Sequence, residues 1–278
     1  MNRIKKYLPI IFSFRQYLHQ KSKVILVYSM GKVGSSTIYK TLKKELPFSK
    51  VFHVHFLSDY WLKEKLPKTN HTLNIDHGNR IRKYLSENSD KKVYLISMIR
   101  EPVGREISNI FENPQDFVGN NLDKTSAMNT LIGMSEDEIL NIGSKISYEY
   151  YMNWFSSEFE SFTGIDIYKY PFEKSKGYQI FKDDNYNVLL IKLESLNDVY
   201  QNAFNEFLEL KITSRKEVNI GNDKISKGAN SFLKNNLKYS IAELNNLYDS
   251  NIIKHFYSED QIQKFKQKWS NEKSLKIC

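Results

Sequence analysis

The sequence has almost no cysteine. Its one thiol is Cys278, so no disulfide can form within the chain, and a reducing, cytoplasmic setting is expected. Glycine and proline are scarce too, at 11 and 6 residues. No Gly/Ser-rich or Pro-rich linker interrupts the chain, and no repeat of solenoid period appears. A single domain over residues 1–278 is expected, with 1–21 as an N-terminal extension and 113–180 as an insertion. Long hydrophobic runs are missing as well. The apolar stretch Leu8–Phe14 is too short to span a bilayer and contains Pro9. No small-residue cleavage site follows it, so a signal peptide is not expected. The basic N-terminus reads either as an amphipathic element on a membrane or partner, or as a helix packed on the domain. Acidic residues are the minority, 32 against 41 Lys and Arg. That balance suits an anionic ligand. The lysines are spread rather than blocked, and no nucleic-acid motif is present, so nucleic acid is not an expected partner.

What is present is a globular composition, 40% hydrophobic and 14% aromatic. "KVILVYS" (23–29), "KKVYLISMIR" (91–100) and "YNVLLIKLE" (186–194) are apolar runs of strand length, as parallel strands covered on both faces require. "KVFHVHF" (50–56) is a further strand, and "HTLNID" (71–76) a candidate one. Helices are expected over 35–46, 80–87, 102–111, 147–162, 196–209, 228–247 and 259–269. Loop with short helices is expected over 113–146, and edge strands in "GIDIYKYPF" and "KGYQIF". Strands alternating with helices predict an α/β fold: a P-loop-type three-layer core with a central parallel sheet and a helical C-terminal part.

The first strand runs into "SMGKVGSST" (29–37). A loop between a parallel strand and a helix turns backbone N–H groups toward a ligand, and the helix N-terminus favours an anion. Gly31 and Gly34 permit the tight turn. Lys32 adds charge, and Ser35, Ser36 and Thr37 add hydroxyl donors. A Walker A loop needs its lysine after the second glycine; here it precedes Gly34. The strand "VYLISMIR" also ends in Arg100 where an acid would hold Mg²⁺. A kinase or NTPase is therefore disfavoured twice. The plain alternative is a Gly/Ser turn before a helix. In "REPVGREIS", Arg100 ends a strand and Ser108 lies on the next helix. Together they form a second anion pocket, or else a surface arginine and an exposed serine.

Together "GKVGSST" (31–37) and "REPVGREIS" (100–108) resemble the two signatures of the PAPS-dependent sulfotransferases. The chain is most similar to the bacterial sulfotransferase-like family of capsular polysaccharide synthesis proteins, through "KVFHVHFLS", "LLIKLESLN", "NIGNDKISKG" and "HFYSEDQIQKFKQKW". Where that family often has "KWY", this chain has Lys224, Ile225 and Ser226. The resemblance implies that Gly31, Lys32, Val33, Gly34, Ser35, Ser36 and Thr37 hold the 5′-phosphosulfate of PAPS (3′-phosphoadenosine 5′-phosphosulfate). Arg100 and Ser108 would hold its 3′-phosphate. A late loop around Asn222, Lys224, Lys227 and Gly228 would close over the nucleotide. PAP would be the product, and no metal would take part. The acceptor implied is a carbohydrate hydroxyl, on a capsular or other surface polysaccharide or its precursor. The competing expectation is a non-catalytic nucleotide- or polyanion-binding protein of the same fold.

A base must take the acceptor's proton. His55 is the first choice and His53 the second, two residues apart on one strand face. Lys32 would neutralise charge on the leaving phosphate. A packed histidine and a metal pair completed by Asp76 or His77 are the rival readings. Glu101 and Glu106 are fallback bases, more naturally read as a cap and an ion pair. The aromatic stripe Tyr148, Tyr151, Trp154 and Phe155 is read as helix core rather than a sugar platform.

Overall fold

The computed structural model describes Tyr17 and residues 20–69, 72–119, 121–210 and 226–271. The fold is α/β, with a five-stranded sheet in the order β2-β1-β3-β5-β4. The strands are β1 (Lys23–Tyr28), β2 (Lys50–Val54), β3 (Lys92–Ile99), β4 (Tyr178–Lys182) and β5 (Tyr186–Lys192). Neighbouring pairs are parallel except β4, an antiparallel edge on β5. β1 is buried along its whole length, and β3 and β5 almost so, as their unbroken apolar runs require.

The helices are α1 (Ser35–Glu45), α2 (Thr72–Glu87), α3 (Pro102–Glu112), α4 (Gln115–Val118), α5 (Lys124–Gly133), α6 (Glu136–Ser144), α7 (Glu149–Trp154), α8 (Leu196–Leu208), α9 (Lys227–Asn236), α10 (Ile241–Tyr248), α11 (Asn251–Phe256) and α12 (Glu259–Trp269). α1 packs on β1 and β2, α2 on β2, and α8 on β4 and β5. α9 lies against α3 and α6. Among the described residues no helix is long and apolar enough to cross a membrane.

The expected segmentation is corrected in several places. "HTLNID" is not a strand but the start of α2. The buried side of that helix runs through Ile75, Gly78, Ile81 and Leu85, which is helical spacing. Gly78 hides the period because glycine carries no apolar side chain. It is glycine for a steric reason: a Cβ there would lie 2.7 Å from the Phe56 carbonyl and 2.8 Å from Leu62. Residues 228–247 are two helices rather than one. Ser240 and Glu243 form a capping box that starts α10, and Tyr239 bridges to Ser270 before it. "GIDIYKYPF" holds a 3₁₀ turn, Ile167–Lys169, rather than a strand. The 147–162 helix begins at Glu149 and widens into a π-helix over Phe155–Glu160. The 113–146 segment is mostly helical, with α5 and α6 capped by Asp123 and Ser135.

The π-helical turn carries Glu158, fully buried. Its carboxylate accepts from the Tyr28 hydroxyl, the Leu57 amide, the Ser58 amide at 3.0 Å and the Ser58 hydroxyl at 2.5 Å. Burial raises its pKa while these donors pull it back. One side chain thus fastens the end of β1 to the segment leaving β2. Glu158→Ala strips four donors of their shared acceptor. It should cost at least about 3 kcal/mol of unfolding free energy in urea titrations. A loss below about 1 kcal/mol would show that these donors find other partners.

Candidate functional site

β1 lies between β2 and β3: the chain steps from β1 outward to β2, then crosses back past β1 to β3, so the strand order reverses here. Such a switch point in an open parallel sheet leaves a crevice at the carboxyl ends of the strands. Two segments flank it: the loop 29–34 after β1 and Arg100–Glu101 after β3.

The loop holds two residues in the left-handed region, Lys32 at φ 69 and Gly34 at φ 86. For glycine that conformation is free; for lysine it costs energy that the surroundings must supply. Arg100 donates from Nη1 to the Lys32 carbonyl at 3.1 Å, and Arg105 from Nε to the Gly31 carbonyl at 3.0 Å. Both arginines of the second motif therefore grip the backbone of the first. α1 then starts after Gly34 with no side-chain cap and no acidic residue in its first turn, whereas Glu101 caps α3. The Ser29 hydroxyl, at the root of the loop, is buried without a partner among the described residues. An uncapped helix start, an orphaned hydroxyl and nearby cations fit an anionic group.

Of the loop residues named from sequence, Ser35 is buried and Ser36 exposed, while Gly31, Lys32, Gly34 and Thr37 are half-buried. Val33 departs from expectation. Its side chain is fully buried in the core, which leaves only its backbone for a ligand. The Lys32 ammonium lies 3.7 Å from Glu112, which Lys124 also approaches at 2.9 Å. Burial lowers the Lys32 pKa, and Glu112 opposes that.

Arg100 is held from several sides. Burial draws its pKa down, while Glu194 and Glu101 favour its charge. Tyr151 donates to its carbonyl at 2.9 Å. Glu194 accepts from the Glu101 amide at 2.7 Å and from the Tyr257 hydroxyl at 3.0 Å. Glu101 is occupied as the α3 cap, accepting from Val103 and Gly104 at 2.9 and 2.7 Å and from the Tyr248 hydroxyl. Glu106 pairs with Arg105. Ser108 is half-buried on α3. Lys227 and Gly228 open α9 and are exposed. Asn222 and Lys224 lie outside the described residues. Lys234, seven residues after Lys227 on α9, was not singled out from sequence. Burial and then the charge of Arg100 lower its pKa, so it belongs to the same cationic field. The two-turn spacing Lys227/Lys234 was the available signal.

β2 ends at Val54, so His55 lies just beyond the strand. The two imidazoles still meet edge to face, with ring centres 4.8 Å apart. His53 Nε2 lies 2.9 Å from the Ser35 hydroxyl. His55 Nδ1 lies 2.6 Å from the Ser29 carbonyl. A carbonyl only accepts, so Nδ1 carries the proton and Nε2 of the neutral ring is bare. His77 donates from Nε2 to the His53 carbonyl at 2.8 Å, a structural role. Among the described residues no group of three His, Cys, Asp or Glu is placed to hold a metal ion. The aromatic stripe divides: Tyr151, Trp154 and Phe155 are buried core, and Tyr148 is bonded to Tyr239 at 2.8 Å.

Burial, then the imidazoles of His55 and His77 and the charge of Lys32, hold His53 at a pKa of about 3. Burial and the charges of Lys32 and Arg105 outweigh the Ser29 contact and hold His55 at about 4. Both rings should stay neutral at pH 6, with His55 as the Nδ1–H tautomer, in side-chain ¹H–¹⁵N correlation spectra. The linkage has a definite sign. Unfolded histidine titrates near ~6.5, so the stability these rings contribute is full above that pH. It falls as the pH drops from there toward about 4 for His55 and about 3 for His53. A His55 titration midpoint near the ordinary value would overturn this electrostatic picture.

No curated protein and no solved structure matches the chain. Residues 122–258 match a family model described as "NKWYS: Putative capsular polysaccharide synthesis protein". The matched span begins beyond both anion-loop motifs and contains Tyr151, Glu194, Tyr248 and Tyr257, the residues that brace the end of β3. Over that span the chain is similar to a family whose description points to capsular polysaccharide synthesis.

Proposed function

We propose that the chain is a sulfotransferase with a P-loop-type core, moving a sulfuryl group from PAPS to a carbohydrate hydroxyl. The acceptor would be a capsular or other surface polysaccharide or its precursor. The observation that carries this is the direct bond from Arg100 to the Lys32 carbonyl. It joins two cation-bearing segments at one sheet crevice, as a nucleotide with phosphates at both its 3′ and 5′ positions requires. The uncapped start of α1 and the buried Ser29 hydroxyl support an anion at the loop. The occupied carboxylate of Glu101 supports a reaction without Mg²⁺, since the acid nearest the end of β3 is already spent as a helix cap.

PAPS, when bound, supplies an activated sulfuryl group on a good leaving phosphate. In this reading the α1 start, Ser35, Ser36 and Thr37 hold the 5′ end, and Arg100 with Ser108 the 3′-phosphate. Lys32 exchanges Glu112 for the leaving phosphate. His55 receives the acceptor proton at its bare Nε2. Its tautomer is fixed by Ser29, as catalytic imidazoles are commonly fixed by a carbonyl. A pKa of about 4 makes a poor base, but negative charge brought to Lys32 raises it. His53 serves the loop through Ser35 and stands second. A cytoplasmic location, and any contact of the basic N-terminal extension (1–21) with a membrane or a polysaccharide-synthesis complex, belong to the same proposal; residues 1–16 lie outside the described residues.

Titration calorimetry with PAP, ADP and ATP, each with and without EDTA, tests it. PAP should bind roughly 10- to 100-fold more tightly than ADP, from charge-assisted bonds to the 3′-phosphate. EDTA should change nothing, and Arg100→Ala should erase the preference. Equal affinities for PAP and ADP in the unmodified protein would sink the assignment.

A further inference from the structure

A cleft of about 510 Å³ opens between α3 and the segment from α4 to α7. One wall is Arg105 and Tyr150, the pair that supports the anion loop. Arg105 bonds the Gly31 carbonyl, and its guanidinium carbon sits 4.7 Å from the centre of the Tyr150 ring. The Gly31 amide faces the Tyr150 hydroxyl. Tyr150 also packs against Phe56, next to His55, with ring centres 6.2 Å apart. The cleft thus adjoins the loop directly through Arg105 and approaches the candidate base through Tyr150 and then Phe56. A larger cavity, about 620 Å³, is lined by neither Arg105 nor Tyr150, so it lacks that adjacency.

The lining has a definite chemistry. Arg105 and Lys145 face Glu106 and Asp116, so formal charges cancel in a chain with a net charge of +9. Asn109 and Asn141 present amides, each both donor and acceptor. Phe117 and Ile142 supply an apolar surface. Balanced charge, amides and one aromatic face suit the hydroxyls and C–H faces of a pyranose, and give a polyanion no advantage.

We propose that this cleft is the acceptor subsite and takes an uncharged, hydroxyl-rich oligosaccharide. The assignment rests on the sulfotransferase reading for its role, but the binding it asserts does not need PAP. Saturation-transfer NMR on the full chain, with maltohexaose, chitohexaose and a hexuronate oligosaccharide of equal length, tests it. At least one neutral probe should bind at millimolar concentration, and the uronate should not compete. Asn141→Ala, an exposed position, and Phe117→Ala should each weaken that binding about tenfold or more. PAP affinity, measured on the same variants, should stay unchanged. No binding by either neutral probe, or binding indifferent to both substitutions, overturns the subsite. Failure of the unmodified protein to bind PAP overturns the sulfotransferase reading instead. The two failures are therefore separable.

Discussion

The site depends on a charge kept at a strand end. Arg100 is half-buried where β3 stops, and a guanidinium drawn out of water is tolerated only with acceptors around it. One acceptor is the Lys32 carbonyl, aimed at Arg100 by a left-handed Lys32. The bond therefore fixes the loop's least favourable backbone angle and the position of the arginine at once. Arg105 repeats the device on Gly31. Neither segment would keep its shape without the other, because each supplies what the other needs.

The same charge recruits the second half of the chain. Glu194 favours the ionised arginine and orders the Glu101 amide and the Tyr257 hydroxyl. Tyr248 reaches Glu101, and Tyr151 reaches the Arg100 carbonyl. These residues lie in the span similar to the capsular polysaccharide synthesis family, while the arginine they support lies before it. A buried polar network is costly unless every member is satisfied, and the hydroxyls of Tyr151, Tyr248 and Tyr257 supply the donors this one needs.

Most of the sheet was legible in the sequence because β1, β3 and β5 are buried on both faces and leave unbroken apolar runs. α3 was legible through Pro102 at its first turn. The start of α2 was not, since its period passes through Gly78, chosen for a close approach to the Phe56 carbonyl. Glu158 was equally hidden. An acid in an aromatic helix reads as its solvated side, and only the assembled fold brings Tyr28, Leu57 and Ser58 to it. The two loop motifs stood out by residue type. That their arginines hold the loop's carbonyls is a tertiary fact that no spacing encodes.

The histidines show how far the site's electrostatics depend on its occupant. Burial first, then the charge of Lys32 and the neighbouring imidazoles, hold both rings neutral, with Arg105 acting on His55 as well. Lys32 itself faces Glu112, the carboxylate it shares with Lys124. An anion entering the loop acts on both features in the same direction. It competes with Glu112 for the ammonium, and it offsets the part of the His55 depression that comes from the charges of Lys32 and Arg105, burial being the larger part. Under the proposed chemistry the base gains strength when the donor is in place, so proton transfer and donor binding are coupled through the charges of Lys32 and Arg105. His53 is coupled less directly, since its hydrogen bond goes to Ser35 at the start of α1. The loop would act on the bases through charge, and the bases on the loop through that single hydroxyl.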